Sequence, residues 1–194
     1  MNDPGRMFPP GAGLSNGKAR EEICLWVVNN VQPEVVLDLG CGVGLYGMQL
    51  KMFDKDVKVI GVDANFQCLA SVFCQSCYDS LICTKIETVV FGVIDIRTDI
   101  TIMASTIEHF EHDEGVRLLN EMDRVIVSTP MSPMKQDIVN DNRFQEHKSH
   151  FGPREMEELG YGFMFKVEYP NGIDNFAGVY QKGVCKNSVA PQLG

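Results

Sequence analysis

Short apolar runs alternate with amphipathic, helix-like segments along most of the chain, and this alternation predicts an α/β fold. Helices are predicted at residues 17–31, 45–53, 65–79, 114–122 and 153–159. Strands are predicted at residues 35–39, 57–62, 88–94, 100–104, 124–128, 163–169 and 176–182. The last two strands are separated by a Pro-Asn-Gly turn signal, which predicts an antiparallel hairpin at one edge of the sheet.

The first predicted strand runs directly into the strongest motif of the chain, with Asp38, Gly40, Gly42 and Gly44 at every second position. Glycines let the chain turn sharply and let a ligand approach the backbone. The spacing differs from the dinucleotide-binding pattern, because Leu45 stands where the third dinucleotide glycine would be, and the Gly-Lys-Ser/Thr of a P-loop is absent. This motif therefore predicts a nucleotide-like ligand of another kind.

A second apolar run, residues 59–62, ends in Asp63, about 20 residues after the glycines. An acid at this distance is typical of a carboxylate that binds ribose hydroxyls. The two motifs together resemble motif I and the following acidic motif of the class I S-adenosylmethionine (SAM)-dependent methyltransferases. The resemblance covers about residues 20–182.

This resemblance implies a seven-stranded, mostly parallel Rossmann-like sheet in the order 3-2-1-4-5-7-6, with helices on both faces. It implies a methyltransferase domain over residues 17–183, preceded by a loose arm at 1–16 and followed by a tail at 184–194. The cofactor it implies is SAM.

The resemblance also implies which residues bind SAM. Asp63 would hold the ribose, Asn65 or Phe66 would flank the adenine, and Asp95 would take the adenine amino group from the end of strand three. A surface loop acid is the other interpretation of Asp95. The implied SAM-binding residues are Asp38, Gly40, Gly42, Gly44, Asp63, Asn65 and Asp95.

Candidate catalytic residues follow the fourth strand and the long polar segment after the fifth. Glu108 and His109 belong to an Ile-Glu-His segment that resembles the one after strand four of many methyltransferases, and His147 opens a second matching segment. His109 is the first candidate for a general base, because the pKa of histidine is near neutral. It could equally be a histidine that packs against the long loop.

The net negative charge makes nucleic acid an unfavourable partner. A net charge of −9 and a pI near 4.9 argue against binding nucleic acid through phosphate contacts, which need clustered Lys and Arg. The sequence shows neither an apolar run long enough to span a bilayer nor a secretory signal at its start, so we expect a cytoplasmic protein without membrane contact.

Seven cysteines are present, and four of them, Cys68, Cys74, Cys77 and Cys83, lie close together in the sequence. A zinc or iron–sulfur site is one interpretation. Three of the four fall in the predicted helix 65–79, where helical pitch spreads their side chains around the cylinder. Buried thiols are therefore the favoured interpretation.

The leading hypothesis is a SAM-dependent methyltransferase for a small-molecule, glycan or other metabolite acceptor. One alternative resembles metal-assisted RNA 2'-O-methyltransferases, with Glu108, His109 and His112 on a helical turn and His147 or His150 completing the ligands. Ser105 replaces the first Glu of that family's motif. The other alternative is a non-catalytic SAM-binding partner subunit. The sequence specifies neither the acceptor nor the oligomeric state.

Overall fold

Seven strands form one mixed sheet in the computed structural model, which describes residues 17–133, 146–168 and 176–184. The predicted arm at 1–16 lies outside the described residues, as does the predicted tail beyond Val184. The strand order is 3-2-1-4-5-7-6, which confirms the predicted topology. The strands are β1 (Val35–Leu39), β2 (Lys58–Asp63), β3 (Ser80–Cys83), β4 (Ile100–Ala104), β5 (Val125–Pro130), β6 (Gly162–Glu168) and β7 (Phe176–Lys182).

Helices connect and cover the strands. The helices are α1 (Gly17–Trp26, continued by a π-helical turn at Val27–Val31), α2 (Leu45–Phe53), α3 (Phe66–Leu69), α4 (Val72–Cys77), α5 (Ile86–Val90), α6 (His112–Glu121) and α7 (Pro153–Glu158). A 3₁₀ turn, Ile107–His109, follows β4. Within the described ranges, no helix combines the length and apolar character needed to cross a bilayer.

Alternate residues of the central strand β1 enter two separate hydrophobic clusters, one on each face of the sheet. Val36 packs with residues of α1 and α2, whereas Leu37 and Leu39 pack with residues of α6 and α7. Both faces are covered, which explains why β1 is apolar without alternation except at Asp38.

The parallel pairing decides where a ligand can bind. β1 runs parallel to both β2 and β4, and β5 runs parallel to β4. The carboxyl ends of these strands therefore meet at one edge, where open α/β sheets bind their ligands. β7 inserts antiparallel between β5 and β6, as the predicted hairpin requires.

The predicted third strand is wrong. Residues 88–94 contain the end of α5 and a turn, with Gly92 at φ +72°, and the third strand is instead Ser80–Cys83. β3 is an edge strand of only four residues whose side chains are half-buried or exposed, and its apolar residues, Leu81 to Cys83, form a shorter run than residues 88–94. The β-branched residues of α5 gave a misleading strand signal, because tertiary packing overrides local propensity.

The predicted helix over residues 65–79 is also wrong as a single element. Two short helices, α3 and α4, occupy this segment, and Ser71 separates them in an extended conformation. The Ser71 hydroxyl accepts a hydrogen bond from the Cys74 N–H and so caps α4. This break leaves Tyr78 just beyond α4, where it turns toward β1.

Candidate cofactor and catalytic site

The glycine loop between β1 and α2 has three residues in the left-handed region, Gly40 at φ +77°, Gly42 at +53° and Gly44 at +90°. A Cβ on Gly40 would lie 2.5 Å from Thr106 Oγ1, and one on Gly44 would lie 2.8 Å from the Cys74 amide nitrogen. A Cβ on Gly42 would meet only the Gly40 carbonyl, at 4.0 Å. Close packing therefore requires glycine at positions 40 and 44. At Gly42, in the middle of the loop, the backbone faces open space.

Asp63, at the end of β2, is bound to this loop. Its carboxylate accepts hydrogen bonds from the Gly42 N–H at 2.9 Å and from the Asn65 N–H at 2.7 Å. Burial raises the pKa of Asp63, and the two backbone bonds oppose that rise. Asn65 caps α3 through its side chain, which accepts from the Gln67 N–H. The predicted ribose acid is thus held in a set orientation beside the loop.

Asp38 lies beneath the glycine loop, with 1% of its surface exposed. Burial raises its pKa to about 7, the hydrogen bond from Tyr78 lowers it, and the nearby Asp63 charge raises it further. The Tyr78 hydroxyl donates to Asp38 Oδ2 at 2.5 Å and accepts from the Gly47 N–H at 3.0 Å. A buried carboxylate whose pKa is near neutral, at the end of a central strand, is typical of a functional site.

Sequence reasoning missed Tyr78, although two glycines indicate its position. Gly47 lies inside α2 and Gly61 inside β2, and an added Cβ on either would overlap the Tyr78 ring. Glycine inside a helix or strand is unfavourable by about 0.5–1 kcal/mol relative to alanine, so it often indicates a close approach. The pair could have predicted a large side chain between α2 and β2.

Asp95 is not at the end of strand three. It is exposed in the segment between α5 and β4, at the amino end of β4. In the same segment Asp99 accepts hydrogen bonds from the Glu34 and Val35 N–H groups at the start of β1. The predicted position of Asp95 at the end of strand three is therefore wrong, while its contact with the adenine amino group stays a prediction.

The turn after β4 places Thr106 against Gly40, at the start of the glycine loop, and carries Glu108 two residues further on. Ser105 adopts a left-handed conformation at φ +50°, and Thr106 contacts Gly40. Glu108 is 2% exposed, and its backbone carbonyl accepts from the Lys148 and Ser149 N–H groups at 2.9 and 3.2 Å. Lys148 and Ser149 are thus bonded to the turn after β4.

The Glu108 side chain is a buried acid whose hydrogen-bond partners include the backbone of Thr106 and of Glu108 itself and the Thr129 hydroxyl. Burial raises its pKa to about 7, whereas hydrogen bonds from backbone groups and from Thr129 lower it. The Thr129 hydroxyl lies 3.4 Å from Glu108 Oε2, which is a long hydrogen bond. A second buried carboxylate with a raised pKa therefore lies at the same sheet edge as Asp38.

His109 and His147 meet beside this carboxylate. Their ring centroids are 5.0 Å apart in an edge-to-face arrangement. His109 Nδ1 lies 3.0 Å from the Glu146 carbonyl, and because a carbonyl only accepts, Nδ1 carries the hydrogen and Nε2 is left with a lone pair. Burial lowers the pKa of His109, which favours the neutral ring. One ligand atom from each of Glu108, His109 and His147 lies within 4.8 Å of the others.

Two other predicted ligands do not join this cluster. His112 lies on α6, bound to Glu155 at 2.6 Å and stacked on Phe151 at 5.3 Å between centroids. The 3₁₀ turn ends at His109, so Glu108 and His112 do not share the helical face that their spacing suggested. The cluster likewise lacks His150.

The four neighbouring cysteines lie in different surroundings. Cys68 and Cys74 are buried, Cys77 is half-buried and Cys83 is exposed. The Cys74 thiol donates to the Gly42 carbonyl at 3.3 Å. Cys74 therefore helps to seat α4 on the glycine loop.

Residues 37–129 match a family model described as a methyltransferase domain. The match covers just under half of the chain, and the chain has the class I methyltransferase fold. The matched segment runs from β1 to β5 and contains both the glycine loop and the Glu108 turn. No curated protein sequence shows significant similarity to the chain.

Solved methyltransferase structures share the fold of this chain at low sequence identity. Magnesium protoporphyrin IX methyltransferase from Synechocystis PCC 6803 with bound SAM is 13% identical, with a TM-score of 0.60 over 85% of this chain and 78% of that one. The N-terminal domain of EvdMO1, in the presence of S-adenosylhomocysteine (SAH) and D-fucose, is 13% identical, with a TM-score of 0.61 over 86% and 83%. The plantazolicin methyltransferase BpumL in complex with SAH is 13% identical, with a TM-score of 0.56 over 84% and 82%.

The buried Glu108 leads to a prediction about stability and pH. Because its folded-state pKa is raised, the folded protein binds more protons than the unfolded chain between about pH 4.5 and 7, and stability falls as pH rises through this window. Glu108→Gln should remove the contribution of Glu108 to this loss of stability. Its free energy of unfolding, relative to wild type, should rise by about 3 kcal/mol between pH 4.5 and 8.

Urea denaturation at a series of pH values, with EDTA present, measures this difference. Glu157→Gln is the matched control, because Glu157 is exposed on α7. A constant difference between Glu108→Gln and wild type across the pH range would contradict the prediction.

Proposed function

We propose that this protein is a SAM-dependent methyltransferase that acts on a small-molecule, glycan or other metabolite acceptor. The observation that carries the proposal is the meeting of two groups at one sheet edge. The glycine loop with Asp63 forms one group, and Glu108, His109 and His147 form the other, with Thr106 in contact with Gly40 between them. A methyl donor and its acceptor need this adjacency.

The residues of the loop fit SAM in shape and charge. The open backbone at Gly42 leaves room for a ligand, and the fixed carboxylate of Asp63 suits a ribose diol. Phe66 is 72% exposed next to Asn65, where an apolar surface can flank an adenine ring. SAM carries a positive sulfonium and ammonium, so the buried carboxylates of Asp38 and Asp63 favour it electrostatically.

Methyl transfer requires the acceptor atom to lie in line with the bond between the sulfonium sulfur of bound SAM and its methyl carbon. The protein contributes mainly positioning, which can account for much of the acceleration. Where the acceptor carries a proton of high pKa, the neutral His109 ring can take it through Nε2. The bond from Nδ1 to the Glu146 carbonyl then holds the ring in this orientation.

A compact acceptor suits this site better than nucleic acid. The described residues on the side of the site where the acceptor would bind are the Glu108 turn and the residues bonded to it, His147 to Ser149. The net charge of −9 disfavours a polyanionic substrate. Two structural neighbours are named for magnesium protoporphyrin IX and plantazolicin, and neither is named for a nucleic acid.

Calorimetric titration with SAM and SAH tests the cofactor. We expect micromolar dissociation constants for both, and Asp63→Ala should weaken each by at least about tenfold, since it removes a charged partner of the ribose and releases the Gly42 amide. Asp56→Ala is the control, because its side chain is 81% exposed in the turn between α2 and β2. Failure of wild type to bind either ligand would overturn the proposed function.

His109→Gln tests the catalytic assignment. Once an acceptor panel has identified a substrate with an ionisable hydroxyl, the variant should lower kcat by roughly 10²- to 10⁴-fold and leave the dissociation constant of SAM unchanged. An unchanged kcat would restrict His109 to packing. SAM binding without transfer to any acceptor would instead favour the non-catalytic partner subunit.

A metal-assisted methyltransferase is the second candidate, and the observation that favours it is the Glu108, His109 and His147 cluster. The three ligand atoms lie within 4.8 Å of one another, and buried carboxylates are usually paired or metal-bound. Two imidazoles and one carboxylate fit Zn²⁺ or Mn²⁺ better than Mg²⁺, which prefers oxygen ligands. The three residues would hold such an ion beside the acceptor, where it would supply Lewis-acid chemistry.

Titration of the protein with Zn²⁺, Mn²⁺ and Mg²⁺, followed by calorimetry, tests the metal site. If the cluster binds metal, Glu108→Gln and His147→Ala should each weaken Zn²⁺ or Mn²⁺ binding at least tenfold, because each removes one of three ligands. His112→Ala should retain wild-type affinity, since His112 lies outside the cluster. Equal binding by all variants, or no binding, would remove the metal-assisted candidate.

A further inference from the structure

Tyr78 occupies a site that two other elements leave open for it. The ring lies between Gly47 of α2 and Gly61 of β2, where an added Cβ would overlap it in both cases. Tyr78 also packs with the cluster of Cys41, Leu69 and Cys74. An aromatic side chain is therefore seated under the glycine loop by the backbones of two neighbouring elements.

The hydroxyl of this ring joins the two ends of the glycine loop. It donates to Asp38 at the end of β1 and accepts from the Gly47 N–H in the first turn of α2. The first N–H groups of a helix have no partner within the helix. One phenol thus orients the carboxylate before the loop and satisfies a backbone donor after it.

Several ionisable groups surround the Asp38 carboxylate. Tyr78 faces it from the segment after α4, Asp63 from β2 and Cys24 from α1, while Cys41 and Cys74 lie in the loop and in α4. Among the causes identified, burial and the Asp63 charge raise the pKa of Asp38, and the Tyr78 hydrogen bond lowers it. Burial raises the pKa of Cys24, and the hydrogen bond with Cys74 raises that of Cys41, whereas the same hydrogen bond lowers the pKa of Cys74.

We propose that Tyr78 is a positioning residue of the cofactor site. Its two hydrogen bonds orient the Asp38 carboxylate and fix the distance between the two ends of the glycine loop, in the arrangement that binds SAM. The inference rests on the proposed function, because SAM is the ligand whose binding it affects. It acts through Asp38 and the loop backbone. Tyr78 itself lies beneath the loop, packed against α2, β2 and α4.

Tyr78→Phe keeps the ring and removes both hydrogen bonds. SAM should then bind roughly tenfold more weakly or worse at pH 7.5, because a hydrogen bond to a charged group is lost. SAM is cationic and favours the ionised Asp38, so its affinity should rise with pH through the Asp38 titration. Without the phenol the pKa of Asp38 goes up, and the midpoint of this rise should move to higher pH.

A double-mutant cycle with Asp38→Asn separates positioning from general damage. In the Asp38→Asn background, Tyr78→Phe should shift no pH midpoint and should weaken SAM binding less than in wild type. Tyr161→Phe is the matched control, since the buried Tyr161 hydroxyl donates to the Leu119 carbonyl away from the loop. It should leave SAM affinity unchanged.

Hydrogen exchange gives a readout that needs no cofactor. The Gly47 amide should exchange faster in Tyr78→Phe than in wild type, while Tyr161→Phe should leave it unchanged. Wild-type affinity and pH midpoint in Tyr78→Phe, or equal weakening by both tyrosine variants, would overturn the proposal. Failure of wild type to bind SAM would overturn the proposed function, and a faster Gly47 amide would then show only that the hydrogen bond exists.

Discussion

The turn between β1 and α2 is the constraint on which the rest of the site depends. A chain that leaves a buried parallel strand and enters a helix within five residues must adopt left-handed conformations, which only glycine tolerates easily. Gly42 is then bound by Asp63, while Thr106 and Cys74 fill the space that side chains on Gly40 and Gly44 would need. The turns after β2 and β4 are therefore placed relative to the turn after β1.

Charge is concentrated at this edge at a cost to stability. Asp38, Asp63 and Glu108 are largely buried carboxylates, and burial raises the pKa of each. Buried acids of this kind persist where a ligand or a reaction uses them, which is why perturbed pKa values concentrate at functional sites. A cationic ligand such as SAM would offset part of the cost, so the same charges that weaken the free protein would strengthen the complex.

In the proposed function this edge has a cofactor part and an acceptor part, and the two are supported by different kinds of structure. The cofactor part rests on backbone geometry, with Asp63 and the Asp38–Tyr78 pair beneath or beside the loop. The acceptor part rests on side chains, because Glu108 and His109 sit on a one-turn helix and His147 comes from a segment that is fastened through the Glu108 carbonyl. In the proposed function, substitutions at residues 146–149 would then alter acceptor specificity without disturbing the glycine loop, as is common for loops on a rigid sheet.

Local sequence determined the features that depend on neighbouring residues. The apolar run before Asp38, the spaced glycines and the acid after β2 were sufficient to predict the glycine loop, because a βα turn is specified within a few residues, and to reveal the family resemblance that implied the sheet order. Long-range packing decided the rest. The edge strand β3 is only four residues long, so the longer β-branched run at residues 88–94 gave the stronger strand signal and placed Asp95 at the end of the predicted third strand, whereas Asp95 precedes β4. Tyr78 reaches Asp38, and His147 reaches His109, only through contacts between segments about 40 residues apart, which no local pattern encodes.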